Sequence, residues 1–348
     1  MKKTIACFAA YGSGGLGQHF KQIIDTAKSK DQLAQYYSYG IQADDPFGTI
    51  IQAPLKSILR YPPLRYSPGW ISYLSCELFD SAVAQKLKQA DLNSFETFQG
   101  FVGQSLRSFQ TLRKVGDTQL VLEAANSHVH NLARQHKRAI QSYGIEQSWL
   151  NHAQIEKTLR EYMMADIIYV ASEYTRQSFL KAGFPADRLA IRTLHANPRF
   201  TLPNEQPNDG IFRVVYTGSL TVMKGIPVLL EAFSHLPSKN TELYLVGRWT
   251  TRGMKKYLRS WLSRDSRIRI TPGDPLPHLQ RASVYVHPTY EDGFGYAVAE
   301  ALACGVPTLV TEDTGAKEYI KTGENGFIFP TGDWKSLFDY LMHFHDNR

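Results

Sequence analysis

Cysteine is scarce in this chain, and what there is does not pair. Cys7, Cys76 and Cys304 are an odd set spread over 348 residues, without the spacing of a disulfide framework or a zinc site. Free thiols in a reducing compartment follow, so the expected location is cytoplasmic. Long apolar runs are missing too: no stretch approaches the ~20 residues that a membrane-crossing helix needs. The start, Met1-Lys2-Lys3 followed by Thr4 to Tyr11, has the basic tip and apolar run of a secretory leader. That run is short and passes directly into Gly12-Ser13-Gly14-Gly15-Leu16-Gly17, so it reads as the first strand of a sheet. There is no repeat, no low-complexity segment and no recognised nucleic-acid motif, and none of the eleven histidines forms a convincing metal-ligand spacing. Neither a metal nor a nucleic-acid partner is expected.

What the chain does carry is alternation. Strand-like runs at Thr4 to Tyr11, Gln35 to Ile41, Gln119 to Leu122 and Ile167 to Ala171 alternate with helical patterns, which predicts α/β architecture around a parallel sheet. With 348 residues there is room for two domains of the usual size, roughly 100–200 residues each. The polar stretch Pro203-Asn204-Glu205-Gln206-Pro207-Asn208-Asp209-Gly210 is the best linker, and a new strand-and-glycine-loop pattern begins at Phe212. The predicted division is 1–203 and 204–348, each a Rossmann-like, doubly wound parallel-sheet domain.

The densest chemistry lies between Pro288 and Gly305. The apolar run Ser283 to His287 suits a buried strand, and Tyr296 to Cys304 has helix-forming content closed by Gly305 and Pro307. Between them, Gly293-Phe294-Gly295 lets a ligand approach the backbone, and the free N–H groups and positive dipole end of the helix favour a phosphate. Asp292 stands eight positions before Glu300, one in the turn and the other inside the helix, so both carboxylates can face one hydroxyl-rich ligand. Upstream, the β-rich run Phe212 to Tyr216 leads into Thr217-Gly218-Ser219-Leu220. Met223-Lys224-Gly225 and the apolar helix pattern of Val228 to Phe233 follow.

These ordered motifs resemble the retaining nucleotide-sugar glycosyltransferases of family 4 (group 1), whose mark is an acid, seven residues and a glutamate around Gly-Phe-Gly. The segments Thr314-Gly315-Ala316-Lys317-Glu318-Tyr319 and Gly323-Glu324-Asn325-Gly326-Phe327 are similar to the family's last sheet elements. The resemblance is strong from Val214 to Asp333 and weaker before. It implies a GT-B fold, two domains facing across a cleft with the acceptor on the N-terminal side. It also implies sugar transfer from a nucleoside diphosphate sugar to a hydroxyl acceptor, a glycan or lipid-linked glycan, with no metal or other cofactor required. Carried over by position, Asp292, Gly293, Phe294 and Gly295 hold the donor sugar, Glu300 holds the ribose, and Lys224, after the Gly218 turn, binds the diphosphate. The first acid is usually Glu. Here Asp292 follows Glu291, which leaves the sugar contact open to either. Many members place arginine directly after the first glycine; this chain has Ser219, and Arg248 in Val246-Gly247-Arg248-Trp249 is the candidate replacement. Related enzymes often have an N-domain histidine touching the donor sugar. In Asn126-Ser127-His128-Val129-His130 that part falls to His128, with His130 in reserve and helix capping as the competing role. The glycine loop with Gly14 and Gly15 borders the cleft and lets donor and acceptor approach. His128, Lys224 and Asp292 are the residues expected to carry catalysis.

Competing readings remain in the sequence. Gly12-x-Gly14-x-x-Gly17 after a strand is also the dinucleotide fingerprint, yet Asp44 and Asp45 come too late for its acidic partner. A nucleotide-sugar epimerase or a phosphorylase would share the fold, and a non-catalytic nucleotide-sugar-binding protein would share the motif. The net charge of +7 is uneven. From Pro46 to Cys76 there are Lys56, Arg60 and Arg65 but no acid, interleaved with Tyr61, Tyr66, Trp70 and Tyr73. Such a segment suits an acidic or lipid-linked acceptor, peripheral contact with headgroups at the inner face of a membrane, or a solvated loop with locally packed aromatics. Arg252, Lys255, Lys256 and Arg259, opposite Met254, Leu258, Trp261 and Leu262, predict a solvated outer helix. The chain ends soon after the helical pattern Trp334 to Phe344, where this fold usually continues into a helix returning to the first domain.

Overall fold

The structure is a computed structural model and describes residues 1–40, 45–52, 67–205, 207–237 and 239–347. The chain forms two compact units. One comprises Met1–Ala133 and Gln147–Leu194, the other Arg134–Glu146 and His195–Arg348.

In the first unit the strands are β1 (Lys3–Ala10), β2 (Leu33–Gly40), β3 (Gly48–Ile50), β4 (Thr97–Phe101), β5 (Gln119–Ala124), β6 (Ile167–Val170) and β7 (Leu189–Ile191). Among the described residues they form one parallel sheet in the order β3-β2-β1-β4-β5-β6-β7. Helices flank it, and Phe79, Phe98, Phe109, Leu120, Leu122, Ile168 and Phe179 fill one core. Strand β4 escapes the sequence pattern because Gln99 and Gly100 break its apolar run. Both have a use in the sheet. The Gln99 amide donates to Glu123 Oε1 at 2.6 Å, and a side chain at Gly100 would meet the Ser105 hydroxyl, whose Oγ lies 2.1 Å from where a Cβ would stand.

The second unit holds β8 (Phe212–Thr217), β9 (Thr241–Val246), β10 (Ile268–Ile270), β11 (Val284–His287), β12 (Thr308–Thr311) and β13 (Gly326–Phe329). Their order is β10-β9-β8-β11-β12-β13, again parallel. The strands are covered on both faces and therefore read as near-continuous apolar runs. One core joins Val214, Leu229, Phe233, Leu245 and Val286 to Leu337 and Leu341 of the Trp334–Asp346 helix. The Arg252–Leu262 helix turns Met254 and Leu258 inward. Leu262, expected on that apolar face, is instead exposed.

Among the described residues no helix is long and apolar enough to cross a membrane. Of the basic aromatic segment, Lys56, Arg60, Tyr61, Arg65 and Tyr66 lie outside the described residues. Trp70 and Tyr73 pack edge to face with each other on the Pro68–Gln89 helix.

Candidate functional site

Four loops leave the carboxyl ends of β8, β9, β11 and β12, where parallel α/β sheets place ligand groups. Backbone contacts lock them together. After β8, the chain turns through Gly225, whose φ of +69° is left-handed; a Cβ there would lie 1.8 Å from the Pro288 carbonyl oxygen. Only glycine permits that approach. Next to it the Tyr290 N–H and the Thr289 hydroxyl both donate to the Met223 carbonyl, at 2.8 and 3.2 Å. The segment carrying Lys224 is thus fixed to the segment leading into Asp292. On the other side the Gly315 N–H donates to the Asp292 carbonyl at 2.9 Å. After β9, a Cβ on Gly247 would lie 1.8 Å from the Gly218 oxygen, and the Leu220 N–H donates to the Arg248 carbonyl at 2.9 Å.

These constraints bring an ammonium onto a carboxylate. Lys224 Nζ lies 2.6 Å from Asp292 Oδ2, and His287 Nε2, at the end of β11, lies 3.3 Å from the same oxygen. Asp292 Oδ1 accepts the Gly295 N–H at 3.0 Å, so that amide of the Gly-Phe-Gly turn serves the turn itself. Burial pushes the Asp292 carboxyl up, but the Lys224 ammonium and the His287 hydrogen bond outweigh it and hold the group well below the usual carboxylate range. The Tyr296–Ala303 helix starts at Gly295, itself left-handed, and carries Glu300 buried. Tyr285, pushed up mainly by burial, also feels both Glu300 and Asp292, so the two carboxylates border one neighbourhood. Glu291 is buried and its carbonyl accepts the Thr289 hydroxyl at 2.9 Å.

The remaining predicted residues divide between the units. Gly218, Ser219 and Arg248 sit on the adjoining turns after β8 and β9, and all but the backbone-locked carbonyls are exposed. Gly293 and Phe294 are buried in the Asp292 turn. Gly14, Gly15 and His128 belong to the first unit. The two glycines open the Gly14–Ser29 helix and are exposed. Asp45, the other candidate partner for a dinucleotide, is occupied by Lys28 Nζ and the Tyr36 hydroxyl, each at 2.6 Å. The His128 ring is buried against Tyr162 and Phe179, with centroids 5.2 and 5.1 Å away. Its Nδ1 accepts the His130 N–H at 3.3 Å, a helix-capping contact. Burial, with the neighbouring His130, pulls its pKa down to about 4.

Three participants gave no sequence signal. His287 precedes the glycine turn and reaches Asp292 only because the loop folds back. His136, in the Arg134–Glu146 segment of the second unit, is buried and close enough to Lys224 to feel its charge; burial and then that charge lower it to about 4. Glu146 of the same segment accepts the Val222 N–H at 2.6 Å and the Thr251 hydroxyl at 2.5 Å, tying the Lys224 loop to the start of the Arg252–Leu262 helix. Among the described residues no cluster of His, Cys, Asp and Glu is arranged to hold a metal ion.

Residues 200–348 match the model of the family Glycosyl transferases group 1. Over 133 residues the chain is 32% identical to the capsular polysaccharide biosynthesis glycosyltransferase CapM of Staphylococcus aureus, covering 36% of this chain and 34% of that protein. The chain spans between about a third and about half the length of the curated relatives it matches, 34%, 54% and 48% for three of them. Among solved structures, it is similar to sucrose-phosphate synthase from Thermosynechococcus elongatus, with a TM-score of 0.74 at 18% identity over 98% of this chain and 89% of that one. It is also similar to HepE of Anabaena in complex with UDP, with a TM-score of 0.68 at 15% identity over 100% of this chain and 90% of that one. At these identities the likeness is one of fold. The fold is GT-B, two Rossmann-like parallel-sheet domains, as the sequence motifs imply.

Proposed function

We infer that a chain whose residues 200–348 carry a glycosyl transferases group 1 domain is a glycosyltransferase, moving a sugar from a nucleoside diphosphate sugar to a hydroxyl of a glycan or lipid-linked glycan with retention of configuration. The observation that carries this reading is Lys224 held 2.6 Å from Asp292, eight residues before buried Glu300, where parallel strands end. Breaking the anomeric bond leaves positive character on the sugar and negative charge on the departing diphosphate. Lys224 is the cation placed to take that charge. Asp292 and Glu300 are acceptors suited to sugar and ribose hydroxyls, and the reaction needs no metal. In the retaining path the departing phosphate takes the proton of the acceptor hydroxyl as that hydroxyl attacks the same face. An epimerase, a phosphorylase or a binding protein without turnover is not favoured. Sugar transfer to an added acceptor separates these from a transferase.

The donor is identified by thermal shift against uridine, guanosine and adenosine diphosphate sugars, since a ligand that binds only the folded state raises its melting temperature. If none of the panel shifts the melting temperature, the reading is wrong. Glu300→Gln is expected to weaken nucleotide-sugar binding about tenfold, as a charged hydrogen bond to the ribose becomes a neutral one, with the fold intact because the shapes match. Unchanged affinity would remove Glu300 from the ribose.

Arg248 is proposed as the cation that replaces the arginine absent at Ser219. Its exposed side chain leaves a turn hydrogen-bonded to the Ser219-Leu220 segment. Arg248→Ala is expected to weaken nucleoside diphosphate binding by about 1.5 kcal/mol or more, the cost of losing a charged partner. Adding Ser219→Arg to that variant should restore the affinity. Wild-type binding by Arg248→Ala would make it an ordinary solvated arginine.

A further inference from the structure

Asp292 has two nitrogen neighbours for one oxygen, an ammonium and an imidazole. Lys224 Nζ stands 2.6 Å from Oδ2 and His287 Nε2 stands 3.3 Å from it, while the imidazole itself is 3% exposed. On the far side of the ring, Nδ1 lies 3.3 Å from the Tyr285 hydroxyl. A neutral imidazole with its proton on Nε2 fits this setting: Nε2–H faces Asp292 Oδ2 at 3.3 Å, and Nδ1 is placed to accept the Tyr285 O–H. The charged and titratable groups around it come from every neighbouring element. Tyr285 shares its strand, Asp292 lies in the following turn, and Lys224 comes from the loop after β8. Tyr216 and Glu300 act on the Tyr285–Asp292 pair, and His136 stands near Lys224. Burial holds His287 below its ordinary range; Asp292 opposes that, and the Lys224 charge adds to it.

A donor diphosphate would draw Lys224 away from this arrangement, since one ammonium cannot hold a carboxylate and a diphosphate at full strength together. We propose that His287 is a positioning residue that replaces Lys224 as the cationic partner of Asp292: when Lys224 turns to the diphosphate, the imidazole takes one proton from solvent at Nδ1 and keeps Asp292 in place as an ion pair. The proposal rests on reading these loops as the donor site. No covalent bond changes. Nε2–H stays facing Oδ2 and the added charge draws the two together, the new Nδ1–H donates to the Tyr285 oxygen, and the Tyr285 hydroxyl has Thr217 as its other neighbour. The bound state then carries one more proton than the free state, so linkage requires donor affinity to fall as pH rises, by up to about tenfold per pH unit between the two imidazole midpoints.

Two measurements test this. The first needs no nucleotide: the His287 imidazole is titrated by NMR in the free full-length protein, in Lys224→Met and in Asp292→Asn. Loss of the ammonium should raise the midpoint by about one pH unit or more, and loss of the carboxylate should lower it. A midpoint unmoved in Lys224→Met overturns the exchange. The second measures UDP-glucose and GDP-mannose affinity from pH 6 to 8.5, where a diphosphate esterified at both ends does not titrate. Wild type should lose affinity with rising pH. His287→Gln, whose amide can still donate to Asp292 but takes no proton, should show little slope, and His287→Leu should bind weakly throughout. A pH-independent wild type, or a His287→Gln slope equal to the wild-type slope, overturns the proposal. If neither nucleotide sugar binds, the donor-site reading fails, while the NMR titration still decides whether His287 answers to Lys224.

Discussion

Lys224→Ala is expected to lower turnover about 100-fold at saturating donor, within the range for removing one preorganised charge partner of a departing group, while weakening donor binding far less. The reason is timing. Negative charge on the diphosphate is greatest as the anomeric bond breaks, so a cation placed there acts more strongly on the transition state than on the bound ground state. Lys224 is brought to the site by the Gly225 turn, pressed against Pro288, and without donor its ammonium rests 2.6 Å from Asp292. Both side chains of that pair are partly exposed, 30% and 22%, so its removal should cost little stability, and unfolding midpoints of variant and wild type should be close. The check is steady-state sugar transfer with donor varied through saturation. An unchanged kcat excludes the leaving-group role, and a defect confined to KM makes Lys224 a ground-state binder only.

Gly225→Ala is expected to be the most damaging single substitution around the site. Two costs coincide. Its φ of +69° is a conformation that costs an L residue about 1–2 kcal/mol, and the new methyl would lie 1.8 Å from the Pro288 oxygen. That backbone atom has no freedom to swing aside, because the neighbouring Tyr290 N–H and Thr289 hydroxyl are bonded to Met223. Overpacking of this kind adds about 1–3 kcal/mol, for a total of roughly 2–5 kcal/mol. The chain supplies its own control in Gly323, with φ +83° and nothing within 4 Å of a built Cβ. Gly323→Ala should show the conformational cost alone. The measurement is the denaturant midpoint of the second unit's transition in each variant, with m-values compared so that a change in the denatured state is recognised. Equal midpoint shifts would mean that the Pro288 contact relaxes without cost. Gly225→Ala should also lose transfer activity, because Lys224 is the preceding residue.

Where backbone chemistry is local, the sequence was sufficient. Alternating apolar runs and helical patterns announce two parallel sheets, and the run Val284 to His287 followed by Gly293-Phe294-Gly295 and the Tyr296–Ala303 helix is legible as strand, turn and helix. Gly305, with φ +74°, closes that helix where a left-handed residue was expected. The order of Lys224, Asp292 and Glu300 along the chain, and the kind of ligand those residue types suit, were readable too. Which atoms meet was not. Strand β4 lies inside its sheet although Gln99 and Gly100 argue against a core strand, because Glu123 and Ser105, distant in sequence, complement them. His128 precedes the Val129–Tyr143 helix and His136 lies within its basic run, and neither position tells what the ring meets. Packing alone puts one ring against Tyr162 and Phe179 and the other near Lys224. The pairing of Lys224 with Asp292, and His287 behind both, depends on loops 68 residues apart being drawn together by glycines too small to keep them separate. Periodicity and turn residues report the conformation of a few neighbouring residues. The protonation and charge balance of the site depend on distances between segments, and those are set only when the cores close.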